Sequence, residues 1–438
     1  MIVTLFIVLS IVFIFFAMLK IYNLGIARIF NSPIVLSTFF FVLIHLLMPT
    51  LQWDVGYFRY SNEYNVHTYI YSMLLVALLH LVFILGLSYF SVDDKPELLH
   101  FTLSRVFLKR VLQITCIVFI FGAYNAGKNI YQILSIGYEN YITDRISMGV
   151  GKGLSLLLAH WTYIACLLFF FIFYHAKHYK WIRRISLLGF ISSFTLAAAY
   201  YGINSNRNSL FLLLITLMCF GLSFNPKYAG HLTFRQLRKI VLVVIGVLLL
   251  FFTLHTLGKV RSEAGNYRTT QESYGLINSL NGAFGNHENI VWLMTHQQQL
   301  ELGVTYIAGI ANFIPRTIWP EKPVGAGPRL KNAIYPGSYV VGKKGNSSLT
   351  TGLYTELIMN FGLTGAIIAS FFIALMLSIF LIKLKHNSSP IMRLIFLFSV
   401  VMFSAQFMYA EFLGFFARYV FSIVPFILLY FATRRIKS

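Results

Sequence analysis

Along this chain apolar residues come in unbroken runs of about 20, parted by short polar clusters, and one stretch of about 93 residues breaks that rhythm. A run of about 20 residues, wound as helix, crosses a hydrocarbon core of about 30 Å. The runs are continuous and do not alternate, so they read as helices and not as barrel strands. Spans are expected at 2–19, 33–51, 68–90, 106–124, 153–174, 185–203, 209–224, 240–257, 353–382, 394–410 and 413–433, eleven in all within a range of ten to twelve. The seventh is short, and the ninth is long enough for its start to lie partly outside the bilayer. The pattern predicts an all-α, polytopic membrane bundle in three stretches. Spans 1–8 fill 1–257, a large loop fills 258–350, and spans 9–11 fill 351–438.

Composition agrees. The 438 residues are 58% hydrophobic and 11% charged, where a soluble domain carries about 25% charged residues. Mean hydropathy is +0.72. The formal charge of +21 does not point to nucleic acid, because most of it sits in short loops between spans. One set of alternate loops and ends holds 20 Lys/Arg, from Lys20 and Arg28 to Arg434, Arg435 and Lys437. The short loops of the other set hold five: Arg59, Lys128, Arg145, Lys152 and Arg207. The positive-inside rule makes the first set cytoplasmic, with the N-terminus and the large loop outside and the C-terminus inside. The first run has no basic flank or small-residue cleavage site and is expected to be retained. Cys116, Cys166 and Cys219 all fall in spans and form no CxxC pair.

The large loop carries nine basic and five acidic residues. Arg261 and Arg268 stand just past span 8. Residues 302–314 form an apolar run too short to cross, which fits a re-entrant or interfacial segment. Then comes Pro315-Arg316-Thr-Ile-Trp319-Pro320-Glu-Lys322-Pro323, where the prolines stiffen the backbone. A flexible turn follows at Gly325-Ala-Gly327, and 336–348 has a mobile composition. Guanidinium groups donate paired hydrogen bonds to phosphate oxygens. Arg207, Arg261, Arg268 and Arg316 together are therefore an anion-binding candidate, against the simpler reading that each meets lipid headgroups or loop carboxylates.

Ionisable residues within or at the ends of spans are costly and are candidates by default. Glu356 and Asn360 share one helical face at the start of span 9. Glu411 lies in the short turn before span 11, with Arg418 seven residues later; a structural ion pair is the alternative reading of those two. His45, His80, His160 and His255 fall in spans and read as hydrogen-bonded interior residues. His287, beside Glu288, is a better base. It and His296 lack the clustered partners of a metal site. Trp292, Trp319, Tyr335 and Tyr339 are placed to stack on sugar rings or to anchor the loop at the interface.

Two segments, Pro315-Arg316…Trp319-Pro320…Lys322-Pro323 and Glu356…Asn360-Phe-Gly362, resemble the Wzy-type O-antigen, or oligosaccharide repeat-unit, polymerases. The span count and the position of the large loop are similar too. The resemblance implies a metal-independent, membrane-embedded glycosyltransferase of GT-C-like fold with one large periplasmic loop, in the bacterial inner membrane. It implies no cofactor. The implied substrates are undecaprenyl-pyrophosphate-linked oligosaccharides as donor and acceptor, in a lipid surround, with a chain-length regulator and a flippase as partners. On this reading Glu356, Glu411 and His287 are the candidates for the base. Arg207, Arg261, Arg268, Arg316, Arg418 and Trp319 are the candidates for holding pyrophosphate and sugar. The competing functions are an O-antigen ligase and a non-enzymatic transporter or flippase. The absence of internal repeats argues against the last.

Overall fold

The computed structural model describes residues 2–24, 31–61, 63–90, 102–138, 140–141, 152–204, 206–224, 238, 284–296, 298–341 and 348–436. Among them there is no strand. The chain is an all-α, multi-pass membrane protein. Among the described residues eight helices are long and apolar enough to cross a bilayer: α2 (Pro33–Val55), α3 (Val66–Ser88), α4 (Arg105–Ile136), α5 (Gly153–His175), α6 (Lys180–Ile203), α11 (Leu353–Lys385), α12 (Pro390–Tyr409) and α13 (Phe412–Thr433). Before them lies α1 (Ile2–Leu24), and between α6 and α11 lie α7 (Arg207–Phe224) and three loop helices, α8 (His287–Thr295), α9 (Val304–Ala311) and α10 (Ala326–Ile334). In α1 and α7 the apolar stretches among the described side chains are Ile2–Ala17 and Asn208–Phe224. The expected span at 240–257 lies outside the described residues.

The helices start where the sequence supplies caps. The Ser32 hydroxyl accepts from the Val35 amide with Pro33 in the first turn, Asn65 accepts from His67, and Ser104 accepts from Phe107. Inside α2, Pro49 has no N–H for the His45 carbonyl. The backbone there widens into a π-helical turn over Val42–Leu47.

The chain divides into two compact units. Unit 1 takes residues 1–96, 270–383 and 399–417; unit 2 takes 97–269, 384–398 and 418–438. The large loop, set apart on sequence as a stretch of its own, thus has its described part within unit 1. In unit 1, Gly86 of α3 faces the Phe371 carbonyl and Ala374 of α11, where an added Cβ would stand 2.6 and 2.8 Å away. Ser370 and Ser378 of α11 donate to the Leu79 and Leu87 carbonyls of α3. Small residues allow the approach and hydroxyls fix it, as membrane helix pairs require.

In unit 2, α4, α5 and α6 pack as a three-helix core, with Gly122 of α4 against the backbone of Thr162. Pro425 lies inside α13 and cannot donate to the Phe421 carbonyl. The Trp161 indole N–H donates to that carbonyl instead, at 3.0 Å.

Trp161→Phe is therefore expected to destabilise the protein by about 1–3 kcal/mol, the usual cost of an abandoned buried partner. In a Pro425→Ala background, where a helical N–H is restored, the same change should cost less. Thermal unfolding of the four proteins measures the coupling, and equal losses in both backgrounds would refute the substitution of one donor for the other.

Candidate functional site

The loop of unit 1 is held by buried carboxylates that accept backbone amides. Glu288, in the first turn of α8, takes the Arg59 and Tyr60 amides on Oε1 at 2.6 and 2.9 Å, with the Tyr64 hydroxyl at 3.4 Å. Glu411 takes the Gly327 amide at 2.7 Å. A Cβ on Gly325 would meet the Glu411 carboxylate at 2.6 Å, which explains a glycine there. Glu356 takes the Thr305 hydroxyl on one oxygen and the Phe412 amide on the other, both at 2.6 Å. Burial raises the pKa of Glu288 and of Glu411, and the amide bonds oppose the rise.

Gly362 has φ +69° and interrupts α11 after one short helical piece. The carbonyls of Met359 and Asn360 lose their helical donors at that break. The Glu301 and Leu302 amides fill the places at 3.0 Å each. Asn360 adds its side chain, accepting from the Gly303 amide and donating to Thr305. The expected shared face of Glu356 and Asn360 is therefore present, and it grips the start of α9. Both oxygens of Glu356 are engaged and the residue is 1% exposed, so the arrangement is that of a clamp.

His287 has the same character. Its Nε2 meets Ser72 Oγ at 2.9 Å and its Nδ1 meets His45 Nδ1 at 3.3 Å. Ser72 donates its own hydrogen to the Tyr69 carbonyl, so the bonds are consistent when His287 donates from Nε2 and accepts on Nδ1. Burial lowers its pKa to about 3. It has no exposed face on which to meet a substrate. His80 likewise joins Tyr354 and Thr38. His255 lies outside the described residues.

The Pro-Arg…Trp-Pro-Glu-Lys-Pro segment folds on itself. Arg316 Nη1 donates to the Pro320 and Lys322 carbonyls at 2.9 and 3.3 Å. Lys322 Nζ points to the carbonyls of Asn312 and Ile314 at 3.2 and 2.7 Å, just beyond the C-terminus of α9. Burial and the neighbouring Arg316 charge lower the Lys322 pKa. Trp319 sits in the same turn, 38% exposed. The short apolar run forms α9, with Thr305 and Ala308 buried and Ile307 and Ile310 exposed. Trp292 packs in a cluster with Ala326, Leu330 and Met359. Arg329, which the sequence reading passed over, pairs with Glu301.

Of the remaining candidates, Arg261 and Arg268 lie outside the described residues, and Arg207 is placed only as the first residue of α7. Part of the 336–348 stretch, residues 342–347, is likewise outside them. Glu411 is taken up by Gly327 and Arg418 donates to Ser209 at 3.3 Å.

Arg418 belongs to unit 2, where it borders a cavity of about 230 Å³. The C-terminal half of α4 contributes Asn129 and Gln132, and Tyr141 follows it. Lys152 and His160 come from the start and the first turns of α5; Tyr200 and Tyr201 come from the end of α6; Asn204 and Asn206 come from the connection into α7, and Ser209 from its first turn. The wall is pre-set by its own bonds. Asn204 donates to Asn129 at 2.8 Å and accepts from Tyr141 at 2.6 Å, and Lys152 donates to Gln132 at 3.1 Å. Among the described residues the lining has two cations and no carboxylate. A partly buried positive wall with amide and phenol groups matches an anionic, hydroxyl-rich ligand.

No protein-family model, curated protein or solved structure matches the chain.

The raised Glu288 pKa has a stability consequence. A carboxyl that binds its proton more tightly when folded adds stability below its ordinary value of 4.5. That contribution is lost as pH rises through the folded value. The melting temperature of the wild type should therefore fall more steeply with rising pH than that of Glu288→Gln. Parallel slopes in thermal melts across this range would contradict the assignment.

Proposed function

We propose that the chain is a membrane-embedded glycosyltransferase that polymerises undecaprenyl-pyrophosphate-linked oligosaccharide repeat units. Transfer takes place at the outer face of the bacterial inner membrane. The observation that carries this reading is the cavity of unit 2, with Arg418 and Lys152 in a wall of amides and phenols. Departure of a lipid pyrophosphate develops negative charge, and fixed donors in a partly dry site stabilise such charge strongly. Asparagine, glutamine and tyrosine side chains give the alternating donors and acceptors that sugar hydroxyls need. Tyr141, Lys152, Asn204 and Asn206, which line the cavity, belong to the set of loops that the charge count places outside. A donor carried on a lipid would reach it from the membrane.

The resemblance of the two motif segments to the repeat-unit polymerases supports the same reading. Their contacts support a structural part for them as well. Arg316 and Lys322 are turned to backbone carbonyls, and Glu356 and Glu411 to backbone amides. They shape the loop. Arg418, a pyrophosphate-binding candidate from the sequence alongside Arg316, carries that part in this reading.

Purified protein in lipid nanodiscs, given lipid-linked repeat units, should produce a ladder of longer lipid-linked glycans. Arg418→Ala should cut the elongation rate about 100-fold or more, on the scale of losing one oxyanion donor, and leave single lipid-linked units unconsumed. A ladder made at the wild-type rate by Arg418→Ala would overturn the placement. A wild-type protein that makes no ladder but transfers a finished glycan to a lipid A core would be a ligase.

A further inference from the structure

His160 stands apart from the other buried histidines. Its Nδ1 is hydrogen-bonded to the Tyr201 hydroxyl. Its Nε2, on the opposite side of the ring, has no hydrogen-bond partner among the described residues. The ring is 7% exposed, lies flat on Tyr163 with centroids 4.9 Å apart, and borders the cavity beside Arg418. His287 and His80 engage both ring nitrogens. His45 also has an unpartnered nitrogen, but it is not among the residues that line this cavity.

An unpartnered buried ring nitrogen is costly unless something else is meant to meet it. Here the second nitrogen is held by a fixed partner, the stacking fixes the ring plane, and the lining around it carries two cations. The site then has the parts of a nucleophile-activating centre: an oriented base, a group that orients it, and donors for the leaving group.

We propose that His160 is the general base of this cavity, taking the proton from the hydroxyl of the acceptor saccharide; this rests on the glycosyltransferase reading above. With its own proton on Nδ1, donated to the Tyr201 oxygen, the ring keeps the Nε2 lone pair free; Nε2 is covered by its neighbours, so a group of the cavity wall shifts aside when an acceptor hydroxyl reaches it. The acceptor O–H gives its proton to Nε2 as its oxygen forms a bond to the anomeric carbon of the donor. The bond from that carbon to the pyrophosphate oxygen breaks, and its electron pair leaves with the pyrophosphate. Arg418 and Lys152 face the charge that forms. The imidazolium then returns its proton to the departing pyrophosphate or to water, and the ring is restored. Tyr201 is a positioning residue: it holds the tautomer and need not touch the substrate.

Three proteins test this in nanodiscs: wild type, His160→Gln and Tyr201→Phe. Binding of undecaprenyl pyrophosphate and elongation of lipid-linked repeat units are measured separately. His160→Gln should bind undecaprenyl pyrophosphate within about threefold of wild type, yet elongate about 100-fold or more slowly, the usual share of a general base. Tyr201→Phe should lower kcat about tenfold with KM unchanged, as expected for a base that is present but loosely held. Elongation by His160→Gln within threefold of wild type would overturn the assignment and leave the polymerase reading intact. If His160→Gln fails to fold, an unchanged kcat in Tyr201→Phe overturns it equally. A wild type that binds undecaprenyl pyrophosphate but extends nothing overturns the polymerase reading, and the base assignment falls with it.

Discussion

A backbone amide or carbonyl inside a membrane protein has no water to turn to, and this constraint organises most of what the structure shows. Wherever the helical ladder is broken, a specific partner has been found from elsewhere in the same unit. At Pro425 it is the indole of Trp161. At Gly362 it is the pair of amides at Glu301 and Leu302. At the turn near Phe412, and at the segments holding Arg59, Tyr60 and Gly327, it is a glutamate. A carboxylate accepts several bonds at once, so one buried glutamate can hold two strands of chain that share no regular structure. Three of the 14 acidic residues of the chain serve this purpose in unit 1.

The same reasoning separates ionisable residues whose bonds are met within the protein from those with bonding capacity left over. Glu356 and His287 are buried and the protein itself supplies their partners, while half-buried Glu411 has one oxygen taken by the Gly327 amide. A group whose hydrogen-bonding capacity is already filled has little left for a substrate. In the cavity of unit 2 the balance is different. Arg418 has five N–H donors and shows one bond, to Ser209. His160 has one ring nitrogen unmatched. Functional capacity is what remains after local geometry has been satisfied.

Sequence reading recovered the parts that depend on periodicity and length. Span positions followed from apolar runs, because a bilayer imposes a length, and the described helices cover ten of the eleven expected segments at least in part. The face shared by Glu356 and Asn360 followed from helical spacing. The break at Gly362 did not, since a glycine within an apolar run is tolerated without comment in a membrane helix. Nor did the inward turn of Arg316, because its acceptors are backbone carbonyls that every residue carries and no motif marks. His160 was read as one more interior histidine. Its distinction lies in an unfilled nitrogen and an adjoining cavity, which become visible only once five helices are placed together.

The knot around Lys322 bears on how this protein responds to its surroundings. Lys322 and Arg316 make direct contacts of 2.7–3.3 Å with carbonyl oxygens. At physiological ionic strength mobile ions screen over about 8 Å, so they act on charges that meet their partners at a distance and hardly on those already in contact. The formal charge of the loop therefore overstates the field that it offers to an approaching anion. Changing ionic strength should leave the loop fold nearly untouched and act mainly where cations stand without counter-charges.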